Sequence, residues 1–341
     1  MGDLLGKYFV EQSLPPSKKQ YIEKILEYIK QTMINRIPKV EWLDDETIEY
    51  AIKKVEAMDS YVGYTESSIN LDTFMKNYGN LTLSDNDYFN NVINIFENNN
   101  NNDLKYITST KEDLEETQLP PQMLNAAYAS IFNSITITSG ILHSPFFSYG
   151  VPDYINYGSM GSVVGHELTH AFDNSGRNYD MNGNINDWWT KNDADEYNEK
   201  TTCFAKQYSE FFVEDNEGKK HYVDGNITLN ENIADNGGIH RAFESWQLSL
   251  MEDPETVKKA IQQLPGLTKY TPEQLFFISY GQVWCENVLN TKDMLSLHFS
   301  DEHAPGFARV NGVISNSKLF AKTFNCPANS KMNPEKKCEL W

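Results

Sequence analysis

The run Gly165-His166-Glu167-Leu168-Thr169-His170 sets two imidazoles four residues apart around a carboxylate, inside the apolar stretch MGSVVGHELTHAF. On an α-helix that spacing puts His166 and His170 on one face about one turn apart, as two nitrogens sharing one zinc ion require, with Glu167 beside them to reach a water. The alternative is accident. With 7 histidines in the chain, this spacing around a Glu arises by chance in on the order of one per cent of comparable sequences. A chain organised by this motif folds a helix there and brings a third donor to it from elsewhere.

The third donor has several known placements that can be tested. A third His ten residues after the first would need a Gly at 173 and a His at 176, where the chain has Asp173 and Gly176. A Glu roughly nineteen residues past the second His is also missing, since Trp188 and Trp189 occupy that region. A more distant Glu on another helix remains, and Glu231 in Glu231-Asn232-Ile233-Ala234-Asp235 fits it. Asp235 follows one turn later on the same side, where it could orient a metal-bound imidazole. The competing reading of this segment is an ordinary solvated acidic face. Asp173, three residues after His170, is within reach of the same helix face, or simply ends the helix.

Size and charge narrow the setting. With 341 residues, 39.1 kDa and 40% hydrophobic residues, the chain can bury a substantial core as two domains or one large one. Lys plus Arg number 29 against 48 Asp plus Glu, a net charge of -19 with pI ≈ 4.8, so nucleic acid is not an expected partner. No run of about 18 apolar residues is present, and the opening MGDLLGKYFVEQ lacks the layout of a signal peptide. Gly6 stands where N-myristoylation needs Ser or Thr. No signal or membrane segment is therefore expected in this chain.

Residues 19 to 58 predict amphipathic helices, with Ile22, Ile25, Leu26, Ile29 and Met33 at helical spacing and an interruption at Pro38. The polar run ENNNNND from Glu97 to Asp103 predicts a flexible loop or domain junction. Ile135 to Thr138 alternate as a short, half-buried strand. Asp187, Thr228 and Thr271 read as helix N-caps, the last with Pro272 at the first helical position. Four cysteines, Cys203, Cys285, Cys326 and Cys338, allow three pairings or reduced thiols, and their spacing makes no zinc cluster. The sequons at Asn80 and Asn226 matter only in a secreted protein.

The segments NAAY (Asn125 to Tyr128), VVGHELTHAFDNSGRNYD (Val163 to Asp180), ENIADNGG (Glu231 to Gly238), DEHAPGFARVNG (Asp301 to Gly312) and CELW (Cys338 to Trp341) resemble the neprilysin and endothelin-converting-enzyme family in order and spacing. The resemblance runs along nearly the whole chain, and the opening GDLLGKYFVEQ is similar to the middle of a family ectodomain. The expectation is the C-terminal half of such an enzyme. The implied fold is mainly α with a small β element: a thermolysin-like (gluzincin) catalytic domain over 104–341 and part of a helical second domain over 1–103.

The resemblance implies one zinc held by His166, His170 and Glu231, with Glu167 as general base. It implies that Asp235 orients a ligand or donates a proton, that His303 stabilises the transition state, and that Arg309 holds a substrate carbonyl. Asn125 and Ala126 match the pair that bonds the peptide main chain, consistent with strand-edge docking next to Ile135 to Thr138. Ile141, Phe146, Val163, Val283 and Trp284 match the apolar pocket, or are plain core. Ser162 and Ala127 depart from the larger pocket residue and the aromatic residue usual in the family, which implies altered side-chain preference.

In the family pattern Cys203 pairs with Cys338, while Cys285 and Cys326 pair with cysteines of an N-terminal part. The implied activity is zinc-dependent endopeptidase cleavage of small peptides on the amino side of hydrophobic residues, at the cell surface or outside the cell, in a parent protein that is anchored or secreted. The alternative is a truncated, non-catalytic zinc-binding fragment or peptide-binding module.

Overall fold

The computed structural model describes residues 2–109, 119–252, 257–258, 262–287, 295 and 301–341, and they are mostly helical. Its first elements are α1 (Gly2–Ser13), α2 (Pro16–Arg36), α3 (Asp45–Glu56), β1 (Asp59–Gly63), α4 (Glu66–Ile69), α5 (Leu71–Tyr78) and α6 (Tyr88–Tyr106). Next come β2 (Ala126–Ala129), β3 (Ser134–Thr138), α7 (Asp153–Asn156), α8 (Ser162–Thr169) and α9 (Lys191–Tyr208). The hairpin of β4 (Phe212–Glu214) and β5 (Lys220–Tyr222) precedes α10 (Leu229–Glu252), α11 (Pro272–Val283), α12 (Gly306–Asn316) and α13 (Lys318–Thr323).

Local chemistry accounts for most of these boundaries. Ile22, Ile25, Leu26, Ile29 and Met33 are all buried along α2, which ends in a single 3₁₀ turn, Ile37–Lys39, carrying Pro38. At the start of α11 the Thr271 hydroxyl accepts the Gln274 N–H at 3.2 Å, and the Gln274 side chain accepts the Thr271 N–H at 3.1 Å. This reciprocal box, with Pro272 at the first position, matches the expectation. Thr228 directly precedes α10, but its hydroxyl bonds the Asp224 carbonyl and the Asn232 side chain, leaving its own carbonyl to take the Asn232 N–H at 2.9 Å.

Two expectations about the helices are overturned. The N-cap of α9 is Thr190, whose hydroxyl accepts the Asp193 N–H at 3.2 Å, and not Asp187. The reason is packing: Trp188 and Trp189 are buried, and the Trp188 indole donates to the Tyr179 carbonyl at 3.1 Å, which holds the segment out of the helix. The run ENNNNND is helical, lying inside α6. That helix is capped by Asp87, which accepts the Asn90 N–H at 3.2 Å, and it carries Val92, Ile93, Ile95 and Phe96 ahead of the asparagines. Once a helix is nucleated and capped, Asn propagates it at a cost of only about 0.7 kcal/mol per residue relative to Ala.

By contacts the chain divides into two compact units. The first comprises Met1–Glu23, Asp59–Ala127 and Ser134–Leu142. Here β1 pairs in parallel with β3, from Asp59 opposite Ser134 to Gly63 opposite Thr138, and the sheet order is β1-β3-β2. Ser134, Ile135, Ile137 and Thr138 are buried, so β3 is a covered central strand and not a half-buried one.

The second unit comprises Lys24–Met58, Tyr128–Asn133 and His143–Trp341. Its centre is the packing of α8 on α10, the most extensive helix pair among the described residues. A large aromatic cluster lies in the same unit, with Trp341 against Trp42 at 5.7 Å and against Phe172 at 5.3 Å between ring centres. Cys203 of α9 is bonded to Cys338 beside that cluster, the pairing the resemblance implied, while Cys285 and Cys326 are free thiols.

The Cys203–Cys338 bond spans a sequence separation of 135 residues, so its removal frees a large loop in the unfolded chain. Replacing both cysteines by Ser is expected to lower stability by about 2–5 kcal/mol, read as a shift in urea midpoint against the parent.

Candidate metal centre

Every residue of α8, from Ser162 to Thr169, is buried. The helix reaches α10 through two glycines. A Cβ on Gly165 would lie 2.5 Å from the Gly238 carbonyl oxygen, and one on Gly238 would lie 2.6 Å from the His166 nitrogen. The two helices therefore cross backbone against backbone, with room for hydrogen atoms only. Gly165 immediately precedes His166, while Asp235 and Glu231 lie one and two turns before Gly238, so the crossing turns these three side chains toward one point.

At that point one ligand atom each from His166, His170 and Glu231 lies within 4.8 Å of the others. The Nε2 atoms of the two imidazoles are 3.0 Å apart. Glu231 Oε2 is 3.2 Å from His166 Nε2, and Oε1 is 3.5 Å from His170 Nε2. Each imidazole is held from behind. His166 Nδ1–H donates to Asp235 Oδ1 at 2.8 Å, and His170 Nδ1–H donates to Asp173 Oδ2 at 2.6 Å. A carboxylate can only accept, so these bonds set the tautomer and leave both Nε2 lone pairs facing each other and Glu231.

Asp173 and Asp235 are themselves fixed. Asp173 Oδ1 accepts the N–H groups of Ser175 and Gly176 at 2.8 and 2.6 Å, so it both orients His170 and shapes the turn that ends the helix. Asp235 takes two parallel bonds from Arg309, Nε to Oδ2 and a terminal nitrogen to Oδ1, both 2.7 Å. The guanidinium lies over the Trp284 ring at 3.9 Å. Burial favours the protonated acid at Asp235, but Arg309 and then His166 hold it below the usual carboxylate range. His303, at the loop before α12, points Nε2 at Glu231 Oε2 across 3.0 Å and donates Nδ1–H to Asp301 at 2.7 Å.

Despite these near nitrogens, Glu231 Oε2 is buried and makes no hydrogen bond. An unsatisfied carboxylate oxygen beside two converging imidazole lone pairs is costly unless a cation lies among them. The residues therefore fit a divalent cation such as zinc, which His166, His170 and Glu231 would hold. In metal-free protein a proton takes over part of this work. Burial lowers the His166 pKa, yet Asp235 and Glu231 outweigh it and raise it to about 10. Glu231 is held far below the usual carboxylate range by His166 and His303 against the effect of burial.

The structure thus brings His166, His170, Glu231, Asp235, Asp173, His303 and Arg309 together in one unit. Glu167 lies on α8 next to His166 and is buried at 6% exposure. Asn125 and Ala126 belong to the other unit: Ala126 begins β2, at the end of the sheet order, and its N–H is taken by the Asn125 side chain at 3.0 Å. Sequence reasoning did not single out Asp301, the partner of His303, or the Gly165–Gly238 contact. The glycines stood inside the two motifs, but nothing in one chain says that they meet.

A family model described as Peptidase family M13 matches residues 125–340, and a second model with the same description matches residues 1–65. The chain belongs to peptidase family M13. Neprilysin-3 of Drosophila melanogaster is 36% identical over 343 residues, covering 100% of this chain and 42% of that protein. Human neprilysin is 35% identical over 342 residues, covering 100% of this chain and 44% of that protein. This M13 chain thus spans less than half the length of the curated relatives it matches.

Among solved structures, the Mycobacterium tuberculosis zinc metalloprotease Zmp1 in complex with an inhibitor superposes with a TM-score of 0.86 at 27% identity. It covers 100% of this chain and 49% of that one. PepO from Lactobacillus rhamnosis gives 0.82 at 26% identity, covering 98% and 48%. The M13 chain has their mainly α, gluzincin fold.

Two outcomes follow for the metal centre. Because His166 loses its proton when a metal binds, zinc affinity is expected to rise with pH below about 10, by roughly tenfold per unit for each proton released, as chelator competition at pH 6, 7 and 8 will read. Gly238→Ala, which forces the helices apart, is expected to weaken zinc binding at least about 10-fold in the same assay.

Proposed function

We propose that this chain carries the catalytic centre of a zinc-dependent endopeptidase acting on small peptides. The observation that supports it most is the donor set His166, His170 and Glu231, with Glu167 buried next to His166 on α8. All site residues, from Asn125 to Arg309, fall within the proposed catalytic region over 104–341, with 1–103 as part of a helical second domain of which 24–58 pack in the same unit as the metal centre. Zinc held by two neutral imidazoles and one carboxylate keeps net positive charge, and supplies Lewis-acid polarisation of the scissile carbonyl and a water acidified toward neutral pKa.

The chain's own residues do the rest. Glu167 takes a proton from the attacking water and delivers it to the leaving amine. His303 donates to the developing oxyanion, where charge appears that the ground state lacks. Asp235, clamped by Arg309, fixes the tautomer of His166 and keeps its ring in register. Arg309 also holds a substrate carbonyl. Asn125 and Ala126 receive the peptide main chain at the end of the sheet, an edge suited to strand addition. Cleavage on the amino side of hydrophobic residues, and action at the cell surface or outside the cell, rest on the resemblance to neprilysin. No described helix is long and apolar enough to cross a membrane.

Glu167→Gln separates chemistry from binding. The variant is expected to retain zinc in chelator competition and to lose at least about 100-fold in cleavage of a quenched fluorescent peptide. A variant as active as the parent would refute the assignment.

A further inference from the structure

One buried charge in the second unit has no part in the chemistry above. Lys54, on α3, is fully buried. The stripe it occupies, with Thr47, Ala51 and Val55, is otherwise uncharged. Its Nζ donates to three main-chain carbonyls, Ala171 at 2.8 Å, Gly176 at 2.8 Å and Tyr179 at 2.7 Å. Three N–H groups meet three acceptors, so the ammonium is fully bonded. The rings of Phe172 and Trp188 face it at 5.6 and 5.7 Å; burial pulls its pKa down to about 7, against the negative charge of Asp173 and Asp180, which favours the ammonium. The three carbonyls come from the segment that follows His170 directly.

This segment is wound so tightly that a Cβ on Gly176 would run into the His170 carbonyl oxygen. Gly176 is held at both ends: its N–H bonds Asp173 Oδ1, and its carbonyl bonds Lys54. The other oxygen of Asp173 holds His170 Nδ1. A continuous chain of hydrogen bonds therefore runs from the Lys54 ammonium through Gly176 and Asp173 to a candidate metal ligand. Without a cation at its centre, three carbonyl dipoles would point at one another in a dry site, and the turn would open.

We propose that Lys54 is a positioning residue for the metal centre, an internal cation around which the 171–179 turn is wound so that Asp173 sets the His170 ring. The proposal rests on the reading of His166, His170 and Glu231 as a zinc site. It makes Lys54 a determinant of metal affinity although it touches neither metal nor substrate.

The test is zinc affinity of the purified chain by chelator competition, together with the absorption spectrum of the cobalt-substituted protein. Lys54→Met, which keeps the stem and removes the charge, is expected to weaken zinc binding about 10- to 100-fold and to shift the cobalt bands. Lys54→Arg, whose planar fork cannot meet three converging carbonyls, is expected to restore little of that loss. Two controls separate positioning from stability. Ile29→Ala, a core truncation on α2, should lower the melting temperature while leaving affinity and spectrum unchanged, and Lys53→Met, at an exposed neighbour, should change neither.

Zinc affinity of Lys54→Met equal to the parent's, or reduced no further than in Ile29→Ala, would overturn the proposal. If Lys54→Met does not fold, the same comparison is decided on Lys54→Arg. A parent chain that binds no zinc would sink the underlying metal reading instead, and is seen before any variant is made.

Discussion

The crossing of α8 and α10 at Gly165 and Gly238 is the constraint on which the rest of the centre depends. Helices with ordinary side chains at their contact stand about 8–10 Å apart. Here the backbones touch, and short side chains meet directly: Asp235 with His166 at 2.8 Å, Glu231 with His166 at 3.2 Å. The glycines contribute no donor atom. They set the distance at which the donors become useful.

Around this crossing the donors are backed in layers. His166 rests on Asp235, Asp235 on Arg309, and Arg309 on the face of Trp284. His170 rests on Asp173, and Asp173 on two backbone amides. His303 rests on Asp301. Each layer removes a rotational freedom from the one in front of it, so little reorganisation is left for the moment at which charge develops. The desolvation cost of so many buried charges is offset by pairing, since Asp235 meets Arg309 through two bonds at 2.7 Å.

Much of this was legible in the chain, and the gaps have physical causes. The two histidines and Glu167 could be read because helical periodicity alone fixes their relation. Glu231 and Asp235 could be proposed from their own four-residue spacing, whereas the meeting of Asp235 with His166, 69 residues away in sequence, depended on tertiary packing. Polarity misled at Glu97–Asp103, where a capped and nucleated helix runs through asparagines, and at Asp187, where two buried tryptophans hold the chain extended. Lys54 left a trace that went unread: a lysine on the same stripe as Thr47, Ala51 and Val55. Such a position calls for a buried acceptor set, but which carbonyls would supply it is not encoded locally.

The two contact units are braided along the chain, each built from three separate stretches, with transitions after residues 23, 58, 127, 133 and 142. A contiguous segment cannot contain one unit whole without also carrying parts of the other. Dissection by truncation will therefore not isolate a minimal catalytic module: a chain begun at residue 143 would hold every candidate metal ligand and yet lack α3, whereas one begun at residue 24 would carry fragments of the first unit. For a protein of this connectivity, the smallest heritable piece and the smallest folded piece are different objects, and recombination between relatives would preserve function only at the few joints where the braid is not cut.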